Sequence, residues 1–216
     1  MSNYSISTYI INLPERTERL SHILQQFEHR EEFDVHVIEA CRNAIGAVGL
    51  WNSLVKIITH ASGRDEDVII VCEDDHQFTR HYSKALLFQQ IEEAYVQRCD
   101  ILCGGISGGF KYALPLTQTR FWVDGYYCNQ FVILFKSFFN TILEHSFNSA
   151  TKVDITLTSL TANKMVIHPF ISTQKPFGYS DVTPHNNENP DWVRNRFDEA
   201  SLQLDLIKRI FYTYYS

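Results

Sequence analysis

Glu73, Asp74 and Asp75 stand in a row at the end of the apolar run Val68-Ile-Ile-Val-Cys72. The run is short, β-branched and uniformly apolar, which is how a strand buried on both faces reads. Three adjacent carboxylates at the edge of a core repel one another and are costly to leave without partners. A hard divalent cation such as Mn2+ or Mg2+ resolves that cost through oxygen ligands and keeps positions open for phosphates. In open α/β sheets, ligands bind just beyond the carboxyl ends of the strands. The acids are therefore placed for a metal-bound nucleotide. The competing reading is a solvated turn after a core strand.

Four further groups carry chemistry. Arg16 and Arg19 fall one turn apart at the start of a predicted helix, directly after the first predicted strand. A helix N-terminus favours anions and a guanidinium fork matches phosphate oxygens; local pairing with Glu15 and Glu18 is the alternative. Gly104 to Gly109 is glycine-rich and comes after a strand, but it has neither P-loop nor GxGxxG spacing. Close backbone approach or a flexible turn explains it as well. Asp154 opens another predicted helix, as an N-cap or as a carboxylate base for an acceptor hydroxyl. His168 ends a strand before Pro169 and His185 sits in a polar loop. Either imidazole could complete a metal shell with the acids, although a single His is more often structural.

The elements that must position these groups alternate. Strands are expected at Ser5 to Leu13, Phe33 to Ala40, Val68 to Cys72 and Asp100 to Cys103. Helices are expected from Pro14 to His29, Leu50 to Ala61 and Tyr82 to Arg98. Such alternation argues a parallel sheet with helices on both faces. Further on, Gln130 to Phe135 and Met165 to His168 read as strands. Phe138 to Phe147 and Asp154 to Asn163 read as helices. The Pro-, Gly-, Ser- and Asn-rich stretch 172–191 reads as an extended or mobile loop, and a last helix as running from about Asp191 to Tyr212. No linker divides the 216 residues, so one domain is expected.

The net charge of −6 argues against a protein whose main task is gripping nucleic acid. The five cysteines form no CxxC pair and read as reduced thiols rather than a disulfide frame or zinc site. The N-terminus lacks the charge and apolar pattern of a signal peptide. No segment reaches the ~20 apolar residues that span a bilayer. A cytoplasmic location is the expectation. The aromatic C-terminal end, Ile210 to Tyr215, leaves packing, dimerisation and peripheral membrane contact open, with packing favoured.

Taken in order, these segments resemble glycosyltransferase family 25, the lipopolysaccharide-type glycosyltransferases. Tyr9-Ile-Ile-Asn-Leu-Pro-Glu-Arg-Thr-Glu-Arg19 is similar to the family's opening "INL-x-R-x-x-R" segment. Gly46-Ala-Val-Gly-Leu-Trp-Asn-Ser53 is similar to "GxxGCxxSH", and Val68-Ile-Ile-Val-Cys-Glu-Asp-Asp75 to the hallmark "hhhhEDD". Asp100-Ile-Leu-Cys-Gly104, Gly125-Tyr-Tyr-Cys-Asn-Gln-Phe-Val-Ile133, Val153-Asp154 and Pro169-Phe-Ile-Ser-Thr-Gln174 come next in the family's order. The series runs from about residue 8 to 181, and only its EDD strand is distinctive by itself.

The resemblance implies a GT-A fold, a Rossmann-type mixed central sheet flanked by helices. It implies inverting transfer from a nucleotide sugar, commonly a UDP-sugar and usually with Mn2+, to a glycan or lipid-linked glycan such as lipopolysaccharide. Glu73, Asp74 and Asp75 would serve metal and nucleotide, with Asp75 in direct metal contact. Asn12, Arg16 and Arg19 would lie near the donor, and Asp154 would be the base or an acceptor-orienting acid. Leu50, Leu54 and Lys152 depart from the family's Cys, His and Pro at their positions, so the resemblance does not carry over a particular donor sugar or acceptor and leaves an atypical or impaired catalyst open. Two other classes compete. Acids at a strand end also suit a metal-dependent nucleotidyltransferase or phosphohydrolase. Phe121-Trp122 and Tyr126-Tyr127 could stack on sugars in a non-catalytic carbohydrate-binding protein.

Overall fold

The computed structural model describes residues 5–178 and 190–214. In chain order the elements are β1 (Ile6–Asn12), α1 (Thr17–Phe27), β2 (Phe33–Glu39), α2 (Gly46–Gly63), β3 (Val68–Glu73), β4 (His76–Phe78) and α3 (Lys84–Val96). Then come β5 (Ile101–Cys103), β6 (Ala113–Thr117), β7 (Arg120–Val123), β8 (Phe131–Phe135), α4 (Phe139–Glu144), α5 (Val153–Leu160), β9 (Lys164–Ile167), β10 (Ser172–Gln174) and α6 (Pro190–Tyr214).

Eight strands form one mixed sheet in the order β2-β1-β3-β8-β5-β9-β7-β6. β1 pairs parallel with both β2 and β3, and β5 pairs parallel with β9. The alternation of the first half suggests that β5 should simply extend a parallel sheet. Instead β8 inserts antiparallel between β3 and β5, with Cys72 opposite Phe131 on one side and Cys103 opposite Val132 on the other. Every residue of β8, Phe131-Val-Ile-Leu-Phe135, is buried, so its place is the middle of the sheet. β6 and β7 form an antiparallel hairpin at the far edge, where Pro115 removes no donor that a central strand would need. β7, Arg120-Phe-Trp-Val123, is not among the expected strands: three strand-favouring residues follow a charged one. The Arg120 side chain is nevertheless fully buried, donating to Gln90 Oε1 and Glu93 Oε2 at 3.0 and 2.9 Å.

Period-2 patterning sends alternate residues to opposite faces. Ile10, Ile70 and Cys72 join Ile23 and Phe27 of α1 and Leu87 and Ile91 of α3 in one core. Tyr9, Ile11, Ile69 and Val71 join Trp51, Leu54, Ile57 and Ile58 of α2 in the other. α4, α5 and the inward face of α6 complete that second layer, through Ile142, Leu157, Phe197 and Leu204. Leu202, Leu206, Ile210 and Tyr214 of α6 are exposed. Among the described residues, no helix is long and apolar enough to cross a membrane, and all five cysteines are free thiols.

The stretch expected to be a loop from 172 begins instead as β10, which pairs antiparallel with β4. Residues 179–189 of that stretch lie outside the described residues. Gly104 and Gly105 serve this packing. Ile171 and Ser172 both donate to the Gly104 carbonyl, and a Cβ on Gly105 would stand 2.1 Å from the Ser172 carbonyl oxygen. Close backbone approach, rather than phosphate binding, is what those two glycines allow.

Ile70 is fully buried in the core that α1 and α3 cover. Ile70→Ala is expected to cost roughly 2–5 kcal/mol in chemical denaturation, whereas exposed Leu202→Ala should stay within about 0.5 kcal/mol.

Candidate functional site

β1, β2, β3 and β5 run in one direction, so their carboxyl ends meet at one sheet edge. A cleft of about 1030 Å3 opens there. Residues at and just beyond the strand ends build its wall: Arg16 after β1, Arg42 after β2, Glu73 to Asp75 at the end of β3, and Ser107 after β5. Because β8 is antiparallel, its approach segment, Tyr127 to Asn129, reaches the same edge. α5 contributes Asp154, the segment after β10 contributes Lys175, and α6 contributes Trp192 and Arg196.

At the floor, Arg19 of α1 spans two acids. Its Nη2 lies 2.6 Å from Asp74 Oδ1 and 2.8 Å from Asp75 Oδ2. Asn12, the last residue of β1, donates from Nδ2 to Asp74 Oδ2 at 2.8 Å. Gln174 Nε2 stands 3.5 Å from Asp75 Oδ1. Lys175 donates its backbone N–H to the Asp75 carbonyl at 2.8 Å, which ties β10 to the acidic turn. The Phe177 ring lies 5.1 Å from the Arg19 guanidinium and 4.8 Å from the Lys175 ammonium. Thus Arg19 reaches across the fold to distant acids, where local pairing with Glu15 and Glu18 was the alternative. Glu15 instead takes both forks of Arg42, at 2.7 and 2.6 Å.

Burial, reinforced by Asp75 and Asp74, pushes the Glu73 carboxyl up to about 8. Burial likewise raises Asp75 to about 6, against the opposing pull of Arg19. One guanidinium does not offset three carboxylates, and the excess negative charge favours protons on Glu73 and Asp75.

Asp154 was expected to open its helix as an N-cap or to act as a base. It is the second residue of α5, and Lys152 holds the N-cap position. Its Oδ2 accepts the Cys128 N–H at 3.0 Å and its Oδ1 the Ile155 N–H at 2.8 Å. Cys128 needs that support because it sits at φ +82°, a region that L residues rarely adopt. Gly109, at φ +90°, packs beneath the same turn, where a Cβ would meet Tyr126 and Tyr127 backbone at 2.6 and 2.7 Å. Burial pushes the Cys128 thiol up, so it is no nucleophile.

The structure therefore brings Asn12, Arg16, Arg19, Glu73, Asp74, Asp75 and Asp154 together around one cleft, Asn12 through its bond to Asp74. It does not bring His168 there. That ring is fully buried beneath α6, with Nε2 3.2 Å from Ser201 Oγ and 3.7 Å from Asp205 Oδ1. Its neighbours are the edges of Phe121 and Phe170, and burial lowers its pKa. His185 lies outside the described residues. Of the aromatics proposed for sugar stacking, Phe121 and Tyr126 are core and Tyr127 alone lines the cleft.

The expected Mn2+ or Mg2+ can be tested against this donor set. The oxygens are of the hard type such ions take. All four oxygens of Asp74 and Asp75 nevertheless face protein donors, from Arg19, Asn12 and Gln174. Among the described residues, no group of three His, Cys, Asp or Glu side chains is arranged to hold a metal. As they stand, the acids do not fit a resident divalent ion.

Sequence reading missed Lys152, Lys175, Trp192 and Arg196. Lys152 and Lys175 have no carboxylate partner among the described residues and both line the cleft. Lys175 reaches it through the β4–β10 pairing, which joins residues about a hundred positions apart, and no local pattern announces such a contact.

A scan of protein-family models gives no match, and neither does a comparison with curated proteins. Solved structures share the fold. Protein A197 from STIV is 14% identical, with 78% of this chain and 85% of that chain covered and a TM-score of 0.54. An apo UDP-glucose pyrophosphorylase is 11% identical, with 93% and 81% covered and a TM-score of 0.50. These likenesses establish a mixed α/β, Rossmann-like fold with helices on both faces of the sheet.

The raised Glu73 carboxyl makes a pH prediction. The folded state binds a proton more tightly than the unfolded chain, so stability present at low pH is lost as pH rises from about 4.5 through about 8. Melting temperature should fall across that window, and Glu73→Gln should flatten the fall. An equally steep fall in the variant would contradict the assignment.

Proposed function

We propose that the protein transfers a sugar from a nucleotide sugar, a UDP-sugar by its resemblance to glycosyltransferase family 25, to a hydroxyl of a glycan or lipid-linked glycan. The observation that carries this reading is a single cleft, at the carboxyl ends of the strands, that holds both Asp154 and a set of cations. Arg16, Arg19 and Lys175 line it together with the acids of β3. Cations there suit a diphosphate, and a helix N-terminus adds its own partial charge beside Arg16. The fold is one that the UDP-glucose pyrophosphorylase also uses, which is compatible with such a donor.

In this reading the acceptor oxygen attacks the anomeric carbon opposite the diphosphate. The carbon–oxygen bond to phosphate breaks, its electron pair leaves with the nucleoside diphosphate, and the anomeric configuration inverts. Negative charge grows on the leaving oxygens, where Arg16, Arg19 and Lys175 provide the stabilisation. Asp154 takes the acceptor's proton. Its two backbone bonds hold the carboxylate in a fixed orientation. Tyr127, about two-fifths exposed in the cleft wall, offers an apolar face on which an acceptor ring can lie.

Two measurements check this. A UDP-sugar at a hundred times its Kd should stabilise the protein by about 2.7 kcal/mol. With an acceptor found by glycan array, Asp154→Asn should lower kcat by about 10^2–10^4-fold with donor affinity little changed. The asparagine side-chain oxygen can still receive the Cys128 N–H, so the turn is preserved. Release of pyrophosphate from UTP and a sugar 1-phosphate, with no nucleoside diphosphate released from a UDP-sugar and acceptor, would replace this reading with nucleotidyl transfer.

A further inference from the structure

We propose that Arg19 takes the place of a divalent cation, so that the acidic turn binds no metal and the nucleotide diphosphate is held by the protein's own cations. The first observation is the bridge itself. One Nη2 atom lies 2.6 Å from Asp74 and 2.8 Å from Asp75, so a protein cation already stands between two carboxylates of the acidic turn. The second is how firmly it is set. The Arg19 side chain is 8% exposed and lies beneath the Phe177 ring. It springs from α1, whose Ile23 and Phe27 are buried in the core. The third is that the remaining aspartate oxygens face Asn12 and Gln174. A metal would have to displace a buried guanidinium and break its charge-assisted bonds, which are among the stronger hydrogen bonds in proteins.

The consequence for substrate rests on the donor reading above. A diphosphate beside this turn meets Lys175, whose backbone is fixed to the Asp75 carbonyl and whose ammonium has no carboxylate partner among the described residues. Arg16 and Arg19 line the same wall. The aspartates act as positioning residues that orient Arg19 and touch no substrate.

The test begins with Mn2+ alone, using calorimetry and Mn2+ electron paramagnetic resonance on the full chain. The wild-type protein should take up no Mn2+ with a Kd below about 1 mM, while Arg19→Gln, which strips the acids of their countercharge, should gain at least about tenfold in Mn2+ affinity. A melting curve establishes that the variant is folded, and Arg19→Lys, which keeps the charge, should gain no Mn2+ affinity. UDP is then titrated in EDTA and in Mn2+. Its affinity should change by less than about threefold between the two, and Lys175→Ala should weaken it by at least about tenfold in EDTA. Micromolar uptake of Mn2+ by the wild-type protein, or UDP binding that requires Mn2+, would overturn the proposal. Absence of UDP binding in both buffers would overturn the donor reading, while the Mn2+ titration would still decide the state of the acids.

Discussion

A single guanidinium holds the site together. Arg19 reaches from α1 to the turn after β3 and supplies a countercharge to both Asp74 and Asp75 beside an apolar core. Asn12 joins the end of β1 to the same turn through Asp74, and the backbone of Lys175 joins the end of β10 to it through Asp75. Three separate pieces of chain are thus tied at one point. Removing the arginine would take the countercharge from two adjacent carboxyl groups and release α1 from the turn that Asn12 and Lys175 also hold.

The sheet explains why the tie lies where it does. Parallel pairing of β2, β1 and β3 brings their carboxyl ends to one edge, where the chain must leave the sheet and polar side chains can emerge. The antiparallel β8 then delivers a different kind of segment to that edge, the turn from Tyr127 to Asn129. Asp154 is bound to this turn rather than to the acidic one. The cleft therefore has two independently supported walls, one carrying Arg16, Arg19 and Lys175 with the acids of β3 and one carrying Asp154 beside Lys152. That separation suits a reaction in which a leaving group gathers charge on one side and a hydroxyl loses a proton on the other.

Much of this is legible from residues alone. The run Val68 to Cys72 reads as a doubly buried strand, and the acids after it then fall at a sheet edge, as the structure has them. Arg16 and Arg19 stand one turn apart at a helix start, where local pairing with Glu15 and Glu18 reads as readily as an anion site; both line the cleft. Their partners are not legible. The pairing of Arg19 with Asp74 and Asp75, in a turn far along the chain, depends on how α1 docks over the sheet, which no local pattern encodes. The same holds for β10, a three-residue strand whose only partner among the described residues, β4, is equally short. His168 misleads because its type suggests ligation, while its burial under α6 depends on a helix more than twenty residues further along the chain. Arg120 misleads in the opposite sense. A charged residue argues against a buried strand, yet polar side chains of α3 and the residue after it receive Arg120 inside the fold.

The most direct measurement is a crystal structure of the protein with UDP grown in EDTA. The account predicts the diphosphate in the cleft beside Arg19 and Lys175, with the bridge from Arg19 to Asp74 and Asp75 intact. A diphosphate bound elsewhere, or a bridge opened so that the aspartates turn toward solvent, would contradict it.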